Sequence, residues 1–311
     1  MPVNYEAHKL PVSQSVQEFI TLDQAAFDAQ KEGFVANRIH DLEQQTQSPA
    51  TVDSLSDRYS GFIGSHTEVK VSPAAEGFRL DDPEMYTSLI DHSRNFFRVF
   101  QDTLRDDPNN DMAFFKAALY ATQQTQEEYF GNASPTAEQS AAHDVLVNRA
   151  SGVNSVADFK NIALCVQRSA AANNMLQVLG VNTALAYGEL SLAGDQPFGH
   201  TFLLVKTPKG GTRLYDPMNP THFYDAGQRT SSRPRYPKVP TEIEASSGYY
   251  ETDIQARFQK DGENKIVKVP AVYHLEANKE EVLAMMRLRE MLSSVSVKDT
   301  VSLGEGLDSV R

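Results

Sequence analysis

Between Val16 and Gln44 the apolar residues Phe19, Ile20, Ala26, Phe27, Phe34, Val35 and Ile39 fall at roughly helical spacing, with acidic and amide side chains between them. That pattern predicts one amphipathic helix, or two, with a single buried face. From Gln45 to Asp57 the chain turns to Ser, Thr, Gln and Pro, a linker composition. Asp81-Asp82-Pro83 then reads as a helix start, with Asp at the cap and Pro just inside. The helix that follows, to about Arg105, carries an apolar stripe of Leu89, Ile90, Phe96, Phe97, Val99 and Phe100. Asp106 to Asn110 interrupts it, and Met112 to Tyr129 forms a second helix ended by Gly131, Asn132, Ser134 and Pro135. A single helical pair is too little for a solenoid, so it is expected to act as a packing layer.

After about residue 140 the period changes. Ser155 to Leu179 is helical in pattern, and Gly180 suits the position just past a helix end. Alternating segments follow at Val181 to Tyr187, Thr201 to Val205 and Thr212 to Tyr215, the last two separated by the hairpin signal Pro208-Lys209-Gly210-Gly211. Ser231 to Ser247, rich in Pro, Ser and basic residues, is expected to be a long surface loop. Lys265 to His274 reads as another strand and Lys279 to Leu292 as a closing helix. Helices first, then one helix leading into antiparallel strands, imply an α+β fold rather than a doubly wound sheet. The expected organisation is a mainly helical N-terminal region (1–140), a core with its closing helix (141–292) and a polar tail (293–311).

Composition narrows the function. The 29 basic residues against 41 acidic ones leave a net charge of −12, which argues against nucleic acid and anionic membranes as partners. No apolar run approaches the roughly 20 residues that span a bilayer, and Met1 to Thr21 lacks the basic start and apolar stretch of a Sec signal. The expectation is a protein of the cytoplasm, or one exported without a cleavable Sec signal. One cysteine excludes an internal disulfide framework and a multi-cysteine zinc site. Phosphate-cradling glycine loops, Gly-x-Ser-x-Gly and His-Glu-x-x-His are all missing. No cofactor and no metal are expected.

Chemistry concentrates in three residues. Cys165 lies on the predicted helix whose inward face is Ala172, Met175, Leu176 and Leu179. If that helix begins near Asn161, the cysteine sits in its first turns, where free N–H groups and the dipole favour a thiolate. If it runs unbroken from Ser155, Cys165 is mid-helix and the argument fades. His200 stands at the mouth of the strand Thr201-Phe202-Leu203-Leu204-Val205, and the return strand ends at Asp216, before Pro217. Closing the hairpin brings Asp216 opposite His200 or within a residue or two of it. Cysteine, imidazole and carboxylate together can attack a carbonyl: the imidazole takes the thiol proton, and the carboxylate fixes tautomer and charge. Singly each has a plainer reading, as a buried thiol, a strand-end histidine and an Asp-Pro turn. As zinc ligands they would want a fourth, and His222 is the near one.

Cys165, the apolar helix ending Leu179-Gly180-Val181, Gly199-His200 leading an apolar strand, and Tyr215-Asp216-Pro217 together resemble the transglutaminase-like superfamily. The resemblance covers roughly Ser155 to Pro220. It implies a papain-like core, with a cysteine-bearing helix packed on an antiparallel sheet behind an N-terminal helical extension. It also implies a Cys-His-Asp triad for transamidation, deamidation or peptide hydrolysis, with Cys165 as nucleophile, His200 as general base and acid, and Asp216 as orienter. Two features depart from the pattern: Ala163 stands where members often carry Gly, and the chain has no tryptophan to hold an oxyanion. The Arg-Gly-Gly-x-Cys signature of arylamine N-acetyltransferases, which share the core, is absent from Asn161-Ile162-Ala163-Leu164-Cys165. By the papain likeness, Gln123, Gln124 and Gln126 are candidate oxyanion donors. The resulting expectation is an amide-processing thiol enzyme, working through a thioester on a protein or peptide substrate. The alternative is an interaction protein that keeps the core without catalysis.

Overall fold

The computed structural model describes residues 16, 18–46, 78–80, 82–103, 110–131, 137–147, 154–192, 196–219, 242–244, 247–260 and 263–275. Local chemistry starts its helices. Asp23 Oδ1 accepts the Ala26 N–H at 2.9 Å just ahead of α1 (Gln24–Thr46). Asp82 Oδ1 accepts the Glu84 N–H at 2.9 Å where Pro83 opens α2 (Pro83–Thr103). α3 (Asn110–Phe130) packs along α2 through aromatic rings, with Tyr120 4.9 Å from Phe100 and 5.7 Å from Phe96. α1 lies on α2, where the Arg94 guanidinium sits over the Phe27 ring at 4.1 Å. α4 (Ala137–Val147) follows, its His143 ring 5.8 Å from Phe159.

The segment expected to be helical from Ser155 to Leu179 is broken in two. A parallel pair, β1 (Phe78–Arg79) with β2 (Asn154–Ser155), delivers the chain to a single 3-10 turn, Val156–Phe159. Ser155 Oγ accepts the Ala157 N–H, while Asp158 Oδ2 accepts the Ser155 N–H at 2.9 Å. These bonds close the turn locally instead of propagating a helix. Asn161, at φ 64°, then takes the left-handed conformation, which stops helical continuation. The chain restarts as α5 (Cys165–Val178), and Gly180, at φ 78°, ends it: the Val181 N–H reaches the Leu176 carbonyl at 2.8 Å.

α5 is buried nearly all round, between α3 and a six-stranded antiparallel sheet of order β6-β5-β4-β3-β8-β7. The strands are β3 (Thr183–Leu192), β4 (Phe198–Lys206), β5 (Thr212–Tyr215), β6 (Glu242–Ile243), β7 (Tyr249–Lys260) and β8 (Glu263–Leu275). Leu185, Leu203, Val205 and Tyr215 face α5 and join one continuous core with the helical layer. On the other face Ala184, Ala186, Phe202, Leu204 and Tyr273 belong to a second cluster. Burial on both faces explains why the central strand reads as the unbroken apolar run Phe202 to Val205. Glu242–Ile243 forms a short strand on β5 inside the stretch expected to be a loop, because the exposed edge of β5 offers unpaired backbone groups. The predicted closing helix Lys279 to Leu292 and the tail 293–311 lie outside the described residues.

One side chain ties the helical layer to the start of α5. Arg168 is 1% exposed; its Nε donates to the Ala163 carbonyl at 3.0 Å, and its Nη2 to the Phe130 and Gly131 carbonyls at 3.0 and 3.1 Å. It thus satisfies the free carbonyls ending α3 and pins the loop before Cys165. Burial lowers its pKa to about 10, which leaves the guanidinium charged near neutral pH. Arg168→Met should strand two buried carbonyls and one part-buried carbonyl and lower the unfolding free energy by about 3 kcal/mol, read from urea denaturation. A loss under about 0.5 kcal/mol, the range of an ordinary surface substitution, would refute this role.

Candidate active site

Cys165 is the first residue of α5 and is partly exposed. Of the two helix starts left open by the sequence, neither is the observed one. The helix begins at the cysteine itself, so the sulfur belongs to a first turn whose N–H groups lack intrahelical acceptors. Gln167 folds back so that its Oε1 accepts the Leu164 N–H at 3.1 Å. One turn on, Ser169 Oγ donates to the Thr201 carbonyl at 2.8 Å, which fastens α5 to β4 next to His200.

His200 is the third residue of β4, 5% exposed, and stands opposite Gly188 of β3. Asp216 follows the last residue of β5. Because Leu203 pairs with Tyr215, Asp216 is beside Phe202, a two-residue diagonal from His200 on the same face. His200 Nε2 and Asp216 Oδ2 are 2.7 Å apart. Cys165 lies near enough to the imidazole to contribute to raising the His200 pKa. The structure thus pairs His200 directly with Asp216 and sets Cys165 near the imidazole.

Asp216 is buried and saturated with donors. Its Oδ1 accepts the Met218 N–H at 2.9 Å and the Asn219 N–H at 3.2 Å, an arrangement suited to Asp ahead of a Pro turn. Its Oδ2 accepts from His200, from Asn219 Nδ2 at 3.0 Å and from the Tyr273 hydroxyl at 2.7 Å. Burial works against the carboxylate, but the His200 charge and hydrogen bond, then Asn219 and Tyr273, overcome it and hold Asp216 below its ordinary value. Burial likewise opposes the imidazolium. The Asp216 charge and hydrogen bond, with a contribution from Cys165, prevail and raise His200 to about 10. Burial beside Asp216 pushes the Tyr273 hydroxyl well up, so it stays a donor.

Two of the three glutamines suggested as oxyanion donors, Gln123 and Gln126, are engaged elsewhere. Gln123 Nε2 donates to Glu127 Oε1 at 3.0 Å while its Oε1 accepts the Tyr215 hydroxyl at 2.8 Å. Gln126 Nε2 donates to the Arg168 carbonyl at 3.0 Å. Sequence reasoning missed Asn219 and Tyr273. Asn219, three residues past Asp216 in Asp-Pro-Met-Asn, carried a local turn signal, whereas Tyr273 on a remote strand carried none. His222 lies outside the described residues. Among the described residues no group of three or more His, Cys, Asp or Glu side chains could hold a metal ion, and no helix is long and apolar enough to cross a membrane.

No protein-family model matches this chain, and no curated protein matches it. Among solved structures, a cysteine-to-glutamine variant of Mycobacterium smegmatis arylamine N-acetyltransferase is similar at a TM-score of 0.27 and 14% identity, over 58% of this chain and 66% of that one. The mixed helix and antiparallel-sheet architecture is observed directly, and the chemical reading rests on the geometry above.

The pair has a pH signature. A histidine raised from 6.5 toward 10 contributes stability that is complete below pH 6.5 and is lost as pH climbs through about 10. An aspartate lowered from 3.8 contributes stability present above pH 3.8 and lost as pH falls through its folded value. Denaturant unfolding of Cys165→Ala, which removes the sulfur, should therefore weaken steadily from pH 6.5 toward 10. Adding Asp216→Asn should flatten that slope. Equal slopes in the two proteins would contradict the pairing.

Proposed function

We propose that this chain is a cysteine-dependent amide-processing enzyme, acting through a thioester acyl-enzyme on a protein or peptide. Cys165 is the nucleophile, His200 the general base and acid, and Asp216 the residue that orients His200. The observation that carries the reading is the buried His200–Asp216 bond of 2.7 Å, with the partly exposed Cys165 near the same imidazole. A non-catalytic chain is expected to keep its thiol in apolar packing with the histidine turned away; a partly exposed Cys165 near His200 supports the enzyme reading instead.

The chemistry follows from the parts. The thiol proton resides on His200 as an imidazolium, which Asp216 stabilises without itself becoming protonated. The thiolate attacks the amide carbonyl, forming a carbon–sulfur bond. The Cys165 backbone N–H, at the positive end of α5, is a natural donor to the oxygen that gains charge. His200 then gives its proton to the departing amine, leaving a thioester and a neutral imidazole. Water or a second amine next adds to the thioester, losing a proton to His200, and the sulfur leaves. Water gives hydrolysis or deamidation; an amine gives transamidation.

Incubation with an iodoacetamide or peptide-aldehyde probe, followed by mass spectrometry, should find the label on Cys165. Cys165→Ala should abolish both labelling and turnover while changing the unfolding free energy by no more than about 1 kcal/mol. His200→Ala should lower turnover by about a thousandfold or more. A folded protein whose thiol resists alkylation near neutral pH would defeat the proposal.

A further inference from the structure

Tyr273 is a fully buried residue of β8, its ring 5.1 Å from Phe202 in an edge-on contact and 6.0 Å from His200. In the sheet order, β3 and β4 stand between β8 and β5, the strand that leads into Asp216, yet the hydroxyl reaches the carboxylate at 2.7 Å. Gly188 is where β3 lets β8 come so near. It pairs with His200 on one side and Leu275 on the other. A Cβ there would stand 1.9 Å from the His274 carbonyl oxygen and 3.2 Å from the Leu275 Cα. Both are backbone atoms with no flexible end to swing aside, so this approach of β8 requires glycine at 188.

The pattern of donors gives the hydroxyl a specific task. Oδ1 of Asp216 is held by its own turn, through the Met218 and Asn219 N–H groups. Oδ2 receives His200, Asn219 and Tyr273. A carboxylate offers about four lone-pair sites, so these donors leave little for water or a proton. Of the three donors on Oδ2, Asn219 belongs to the same turn and moves with it. Tyr273 alone anchors that oxygen from a separate strand independently of the imidazole.

We propose that Tyr273, admitted by the close approach at Gly188, is a positioning residue for the proton relay. Its O–H holds Asp216 Oδ2 where it meets His200 Nε2, and so keeps the other ring nitrogen aimed at Cys165. This rests on the roles proposed above for Cys165, His200 and Asp216. The ionisable groups facing Asp216 are His200 from β4, Tyr215 from β5 and Tyr273 from β8, with Cys165 of α5 beyond the imidazole.

Tyr273→Phe keeps the ring and its packing against Phe202 and removes only the donor. In carbon-13 NMR the Asp216 carboxyl should titrate at higher pH in this variant than in the unsubstituted protein. Alkylation of Cys165 by iodoacetamide at pH 7 should slow about tenfold, the effect of losing one hydrogen bond to a charged group. Gly188→Ala, which forces β8 away, should shift both readings in the same directions. A Tyr273→Phe protein with an unchanged Asp216 titration and unchanged alkylation overturns the positioning role and leaves the enzyme reading intact. If Cys165 in the unsubstituted protein proves inert, the enzyme reading fails and the relay role with it. The Asp216 titration separates the two cases because it does not involve the sulfur.

Discussion

A carboxylate buried away from water is the constraint around which this protein is organised. Isolated, Asp216 would be costly to keep charged, and a partner imidazolium alone would not offset the desolvation of both groups. The fold supplies what is missing: two backbone N–H groups from the turn after Asp216, the Asn219 amide and the Tyr273 hydroxyl. With those bonds made, the charge is tolerated and becomes directional. Such a pair contributes little to stability relative to an apolar substitute. What it contributes is a fixed imidazole orientation near the single thiol of the chain.

The helical layer belongs to the same logic. Arg168 joins the end of α3 to the loop that presents Cys165, and Ser169 joins the second turn of α5 to β4. Both residues lie within four positions of the cysteine, so the helix start is held from two sides. Tyr215 and Gln123 extend the polar seam across to the strand that ends at Asp216. Cys165 and Asp216 are therefore referenced to the same rigid frame, although they arrive from different secondary structures.

Much of this was legible along the chain. Asp-Pro at the start of α2, Gly180 after α5, the Pro208 to Gly211 turn and the limits of β5 all follow from residue types acting on their own backbone. The helix expected over Ser155 to Leu179 was misread because periodicity registers apolar spacing and is blind to a capping box closed by Ser155 and Asp158, or to a left-handed Asn161. β7 was not expected: Glu251, Asp253, Gln255 and Arg257 make it look like loop, and its order comes from pairing along its length with β8. Gln123 and Gln126, attractive by analogy, are drawn into the interhelical seam by partners from distant segments.

By itself the sequence determined α1 to α3, the strands β3 to β5 and their order, the hairpin between His200 and Asp216, and the inventory of one thiol with an imidazole and a carboxyl in a fixed chain order. Those properties are local or nearly so, set by backbone preference and by turns a few residues long. Only the tertiary structure decided that α5 starts at the cysteine, that Arg168 clamps the preceding loop, and that Tyr273 completes the carboxylate's shell across intervening strands. Such contacts join residues tens of positions apart, and their existence depends on sheet order and close approach, quantities that no window along the chain contains.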